Sequence, residues 1–310
     1  MRRRGTGTAP KTAAGALRVL LVCHYYPPHV GGIENVVRDE AVRLAELGHQ
    51  VTVLTTGERT SVVDEIDDDG NRVSVVRIAA WNVAERRAGV PFPIPSPRLL
   101  SSALSWARRA DVVHVHDCFY LTSWAAAFAS ALVRVPLVLT QHVAVVDHPS
   151  SVVTAAQKLV YGTVGRALLR RAATVFTINE YIARFVGTLG AASAKVVVLG
   201  NGVDGQLFRP PSGESERLRL RARFGLPEGR ILALFVGRLV PKKGIDLVLE
   251  AADEAFDLVV VGSGAAGALR GRERVHFLGG QPTRTVAEIY RACDLFVLPA
   301  AGEVFPLVVK

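Results

Sequence analysis

The chain has 310 residues, 49% of them hydrophobic, and a formal net charge of +9; that length exceeds one ordinary domain and suits two, each with a sizeable apolar core. Three widely spaced cysteines, Cys23, Cys118 and Cys293, argue against a disulfide framework and suit a reducing compartment. The basic excess lacks the clustered stripe with interleaved aromatics that nucleic acid requires, so an anionic substrate or an anionic membrane surface is the expected partner.

Residues 1–16, opening Met1-Arg2-Arg3-Arg4, lack the apolar centre of a signal peptide and read as a disordered basic tail. No apolar run of membrane-spanning length is free of charge. Residues 17–23 are a buried-strand pattern. They feed a Pro-rich turn ending in Gly31-Gly32, then a helix with Val36, Val37, Ala41, Leu44 and Leu47 on its apolar face, stopped by Gly48. Such a strand–turn–helix unit places a ligand at the strand's carboxyl end; the glycines can equally serve only a tight turn. Residues 57–72 are acidic but lack calcium-loop spacing and predict a solvated hairpin. Prolines break any regular element between Trp81 and Pro97.

Residues 111–117 form a strand carrying His114 and His116 on one face. Paired histidines can ligate zinc, but the sequence offers no evident third ligand. The next strand, over 135–142, ends in His142. Residues 154–171 predict one basic amphipathic helix, either covering the sheet or facing a membrane. Residues 206–229 are polar and charged and read as a linker.

In the second half, the apolar run 231–236 is a buried strand. It stops at Gly237, and Arg238 and Lys243 occupy the turn before a helix starting near Ile245. Close backbone approach, free amides at a helix start and two cations together suit a phosphate-bearing ligand; solvated loop charges are the alternative. Gly262-Ser263-Gly264 follows a later strand, but the third glycine and the acidic partner of a dinucleotide fingerprint are misplaced.

This basic turn resembles the diphosphate clamp of the retaining nucleotide-sugar glycosyltransferases of GT-B type, the group of glycogen synthases and many bacterial mannosyl- and glucosyltransferases. Gly31-Gly32, His114-x-His116, His142, Asn201-Gly202-Val203-Asp204 and Glu303 repeat the resemblance along the chain. It implies an α/β fold of two Rossmann-like domains facing across a cleft. An acceptor domain at 17–205 and a donor domain at 230–310 would be joined by a hinge at 206–229. By the same resemblance Arg238 and Lys243 hold the donor diphosphate, with Gly31 and Gly32 near it. His142 lies beside the transferred sugar, and His116 borders the cleft. Glu303 bonds sugar hydroxyls, and the amides of Phe305, Leu307 and Val308 approach sugar and phosphate. The implied substrates are a nucleoside-diphosphate sugar and a glycan, lipid-linked or small-molecule acceptor. No cofactor and no metal are expected. The location implied is the cytoplasm, with peripheral attachment to its membrane as an option. The family's second glutamate would fall at position 311, so the second domain is expected to be incomplete. A truncated, inactive fragment, or a nucleotide-sugar-binding protein without transfer, is the competing reading.

Overall fold

A strand that is apolar on both faces must be covered on both. Two such runs, Arg18–Val22 (β1) and Ile231–Val236 (β10), become interior strands of two sheets. The computed structural model describes residues 15–310 except 30, 67–69, 84, 86–91, 147–149, 241–242, 252–254, 265, 270, 301–306 and 310. Most of the expected basic tail therefore lies outside the described residues. The chain divides into two units, Met1–Gly200 and Asn201–Lys310.

In the first unit, β1 is followed by the helix Gly32–Glu46 (α1), Gln50–Gly57 (β2), Ser61–Ile66 (β3) and Arg72–Trp81 (β4). Then come Ile94–Pro95 (β5), Arg98–Ala107 (α2), Val112–His116 (β6), Leu121–Val133 (α3), Leu137–Gln141 (β7) and Ser151–Val160 (α4). Arg166–Arg171 (α5), Thr174–Thr177 (β8), Glu180–Thr188 (α6) and Val196–Val198 (β9) complete it. The sheet order is β3-β4-β2-β1-β6-β7-β8-β9, with β5 beside β4. Among the described strands β3 and β5 run antiparallel to their neighbour, and the pairing of residues 61–66 with β4 is that of the expected hairpin. The chain leaves β1 towards β2 on one side and returns to β6 on the other. Open parallel sheets bind ligands at such a reversal, at the strands' carboxyl ends. Val37, Ala41 and Ala45 of α1 pack on Val19, Leu21, Val51 and Val53, which fixes the angle of α1 across that reversal.

The helix expected over 154–171 is interrupted. Tyr161–Gly165 winds as a π-turn between α4 and α5, its Tyr161 and Gly165 buried, while α4 buries none of its residues. A Cβ at Gly165 would come within 3.1 Å of the Cys118 sulfur, so the glycine lets this turn approach the loop after β6 closely.

The second unit begins with a difference from the sequence reading. Part of the stretch 206–229, expected as linker and hinge, folds as the helix Glu214–Phe224 (α7) and belongs to this unit's core. Its charged residues conceal that role. Arg221 is 3% exposed, donating to the carbonyls of Ala292, Glu228 and Arg230 and to Asp294 Oδ2 at 2.7–3.0 Å. The helices Ile245–Ala251 (α8) and Thr283–Ala292 (α9) and the strands Phe256–Val261 (β11), Val275–Gly279 (β12) and Leu295–Phe296 (β13) follow. All pairings are parallel, in the order β12-β11-β10-β13. Leu232, Leu234 and Val236 of β10 pack with Leu220, Phe224, Ile289 and Ala292 from α7 and α9. Ala233 and Phe235 pack with Ile245, Val248 and Leu249 of α8. The run is apolar on both faces because both are covered.

Candidate active site

Polar groups gather where β1, β6 and β7 end. Beyond β1, His24 is buried with its ring stacked on Tyr120 at 3.5 Å, and burial pushes its imidazole down to about 3. His29 lies between two carboxylates, Nδ1 at 2.8 Å from Glu34 and Nε2 at 3.4 Å from Glu85. The Glu34 hydrogen bond is the main cause that raises its pKa. Gly31 is the residue before the first turn of α1, and Glu34 is the third residue of that helix. A Cβ on Gly31 would fall on the Glu34 carboxylate, so the glycine leaves room for that side chain to fold back over the helix start. Gly31 and Gly32 therefore frame an amino terminus already faced by a protein carboxylate.

His142 follows β7 and is buried. Its Nε2 lies 3.1 Å from His116 Nδ1, and burial pushes its imidazole down to about 3. Its backbone amide donates to Asp117 Oδ1 at 3.0 Å. That oxygen also accepts from Gln141 Nε2 at 2.7 Å and from the Val143 amide at 3.4 Å, while Oδ2 is buried without a partner. Burial raises the Asp117 carboxyl to about 7, against the opposing hydrogen bonds from His142 and Val143. Asp117 also has φ of 62°, a left-handed conformation that a non-glycine residue adopts at a cost. The sequence reading missed Asp117 as a site residue. Its signal was the carboxylate directly after His116 at the end of that strand.

A second contact was also beyond sequence reasoning. Glu40, from the middle of α1, reaches both histidines of β6: Oε1 is 2.8 Å from His114 Nδ1 and Oε2 is 3.5 Å from His116 Nε2. The two strand histidines thus have an acidic companion 74 or more residues away in the chain.

In the second unit, Gly237 ends β10, with Arg238 exposed just after it. The Lys243 stem lies over Gly237, its Cδ 3.9 Å from where a Cβ would stand. The amide of Lys243 donates to the Val240 carbonyl at 2.9 Å, closing the turn. Gly244 is required at the head of α8: φ is +73°, and a Cβ would meet the Pro299 carbonyl oxygen at 2.3 Å. A Cβ on Gly262 would likewise collide with the Gly237 carbonyl oxygen, so the Gly-x-Gly after β11 serves loop packing. Arg238 and Lys243 are thereby brought to the carboxyl end of one interior strand, beside the reversal between β10 and β13. Glu303 and Phe305 lie outside the described residues. Leu307–Val309 forms a single 3-10 turn, in which the Val308 carbonyl accepts from Tyr290 Oη at 2.6 Å and Val308 packs on the second core.

Two parallel-sheet units with polar clusters at their strand ends make this a GT-B-type fold. The Anabaena HepE structure solved with UDP-glucose matches 94% of this chain and 77% of that one, with a TM-score of 0.67 at 18% identity. Residues 31–202 match the family described as "Glycosyl transferase 4-like domain" and residues 216–310 that described as "Glycosyl transferases group 1". The chain belongs to the glycosyltransferases. TuaC of Bacillus subtilis, a glycosyltransferase named for teichuronic acid biosynthesis, is 30% identical over 94% of this chain and 77% of its own. The 2-deoxystreptamine glucosyltransferase of Streptomyces kanamyceticus is 32% identical over 84% of this chain and 73% of its own.

Proposed function

We propose that this chain transfers a sugar from a nucleoside-diphosphate sugar to an acceptor hydroxyl with retention of anomeric configuration. Arg238 and Lys243 hold the diphosphate in place of a bridging Mg²⁺ or Mn²⁺. The observation that carries the reading is the placement of those two cations around Gly237 at the end of β10, where an open α/β sheet receives ligands. The leaving nucleoside diphosphate gains negative charge as the glycosidic bond breaks. Fixed cations stabilise that charge more in the transition state than in the ground state, which is what lowers the barrier.

His142 stands beside the transferred sugar as a neutral imidazole and acts by hydrogen bonding, since burial keeps it uncharged at neutral pH. Asp117 is a positioning residue. Its Oδ1 already accepts three bonds and it is fully buried, which argues against a covalent role and favours attack by the acceptor from the leaving-group side. Glu303 bonds the sugar hydroxyls, and the amides of Phe305, Leu307 and Val308 complete the donor contacts. HepE was solved with UDP-glucose, so a uridine diphosphate sugar is the first donor to test. The acceptor is a glycan, lipid-linked or small polyhydroxyl compound, and the reaction takes place where nucleotide sugars are made, in the cytoplasm. No described helix is long and apolar enough to cross a membrane.

The test is a thermal-shift panel of UDP-, GDP- and ADP-sugars, followed by a transfer assay without added Mg²⁺ or Mn²⁺. Proton NMR of the product reads the anomeric configuration. The reading predicts stabilisation by one nucleotide class and a product of retained configuration. An inverted product, or turnover only after Mn²⁺ addition, contradicts it.

A further inference from the structure

His114 and His116 are two residues apart on β6, so their rings project from the same face, with centroids 4.4 Å apart. That face is covered by α1, which turns Glu40 towards them. One ligand atom from each of Glu40, His114 and His116 lies within 4.8 Å of the others. The closest approaches are 2.8 Å from Glu40 Oε1 to His114 Nδ1 and 3.5 Å from Glu40 Oε2 to His116 Nε2. Tetrahedral zinc, with bonds of about 2.0–2.1 Å, sets its donor atoms roughly 3.4 Å apart.

The second observation is His116 Nε2. It belongs to a side chain with no exposure, has no hydrogen-bond partner, and points at the Glu40 carboxylate. A protein-only arrangement satisfies His114, whose Nδ1–H can donate to Glu40, but leaves His116 Nε2 unanswered at 3.5 Å. A cation among the three answers both. The outer nitrogens are already held as metal ligands hold theirs: His114 Nε2 lies 2.7 Å from Thr140 Oγ1, and His116 Nδ1 lies 3.1 Å from His142 Nε2. With the outer protons on those nitrogens, both inner lone pairs converge on the carboxylate.

We propose that Glu40, His114 and His116 form a binding site for one divalent transition-metal cation of the zinc class. Two imidazoles and one carboxylate favour Zn²⁺ or Co²⁺ over Mg²⁺ and Ca²⁺, which prefer all-oxygen shells. The Glu40 side chain is 29% exposed against 10% and 0% for the histidines, so entry is from the Glu40 side and the fourth position is open to water. The cation ties α1 to β6 and fixes the His116 proton on Nδ1, where it donates to His142 Nε2. His142 is then left with its own proton on Nδ1. Only this last consequence rests on the proposed role of His142; the site itself does not.

The experiment is titration of the full chain, stripped with EDTA and dialysed, with ZnCl₂ by calorimetry and with CoCl₂ by visible absorption. The site predicts one equivalent of Zn²⁺, an intense four-coordinate Co²⁺ band, and no competition by a large excess of Mg²⁺. Glu40→Gln leaves Val37 and Ala41 of α1 in place and should weaken Zn²⁺ at least about tenfold with the thermal midpoint of the metal-free chain unchanged. His116→Asn should weaken Zn²⁺ likewise, and His49→Gln should leave Zn²⁺ binding unchanged. Long-range ¹H–¹⁵N spectra should shift His114 Nδ1 and His116 Nε2 on Zn²⁺ addition. Absence of stoichiometric binding, unaltered affinity in Glu40→Gln, or loss of binding in His49→Gln overturns the proposal. These readouts do not involve sugar transfer, so failure of the site and failure of the transferase reading are distinguishable.

Discussion

His142 shows how much a single buried side chain can be constrained. Its amide is held by Asp117, its Nε2 by His116, and its charge is removed by burial. In the role proposed for it, a neutral imidazole beside the sugar contributes to the reaction and little to phosphate binding. His142→Ala should therefore lower the turnover rate while leaving the affinity for free nucleoside diphosphate unchanged. Steady-state kinetics paired with calorimetry read the two separately, and a variant with normal turnover returns His142 to a purely structural place. The position of His142 at a strand end was legible in the sequence. Its support was not: Asp117 bonds His142 and Gln141, and Glu40 reaches His114, through contacts spanning tens of residues, which no local pattern encodes. Gly31 is a milder case, since the sequence shows a glycine pair but not that Glu34 needs the space.

At the scale of elements, the parallel strands and their helices were legible because continuous apolar runs have one explanation, burial on both faces. The helix α7 was hidden because its buried residues are charged and are compensated at long range. Arg221 satisfies three carbonyls and Asp294, joining α7 to the end of α9 and the start of β10. Arg221→Ala should destabilise the second unit by about 3–5 kcal/mol, the range for breaking a buried ion pair by removing one partner; urea denaturation followed by circular dichroism checks it, and a loss below about 1 kcal/mol contradicts it. Glu216 of the same helix supplies a pH signature. Arg209 first, and then the amide and hydroxyl of Ser212, lower its pKa from an ordinary 4.5 to about 2. A carboxylate depressed on folding stabilises the folded state above its unfolded pKa and loses that contribution as pH falls through the folded one. The stability of the second unit should thus decline between about pH 4.5 and pH 2, and Glu216→Gln should flatten that slope. An unchanged slope in the variant places the acid sensitivity elsewhere.

At the scale of the whole molecule, both units repeat one device: an interior parallel strand, a reversal of strand order beside it, and functional groups just past its carboxyl end. In the first unit the device gathers neutral and acidic groups, His24, His142, Glu34 and Asp117. In the second it gathers cations, Arg238 and Lys243. Under the proposed function, that division gives the anionic half of the donor to the second unit. The central claim is therefore the clamp, and calorimetric titration of the nucleoside diphosphate selected by the donor panel tests it most directly. Arg238→Ala and Lys243→Ala should each weaken binding by about 1.5–3 kcal/mol, the worth of a hydrogen bond to a charged group, and the double variant by more than either. Wild-type affinity in both single variants would contradict the account.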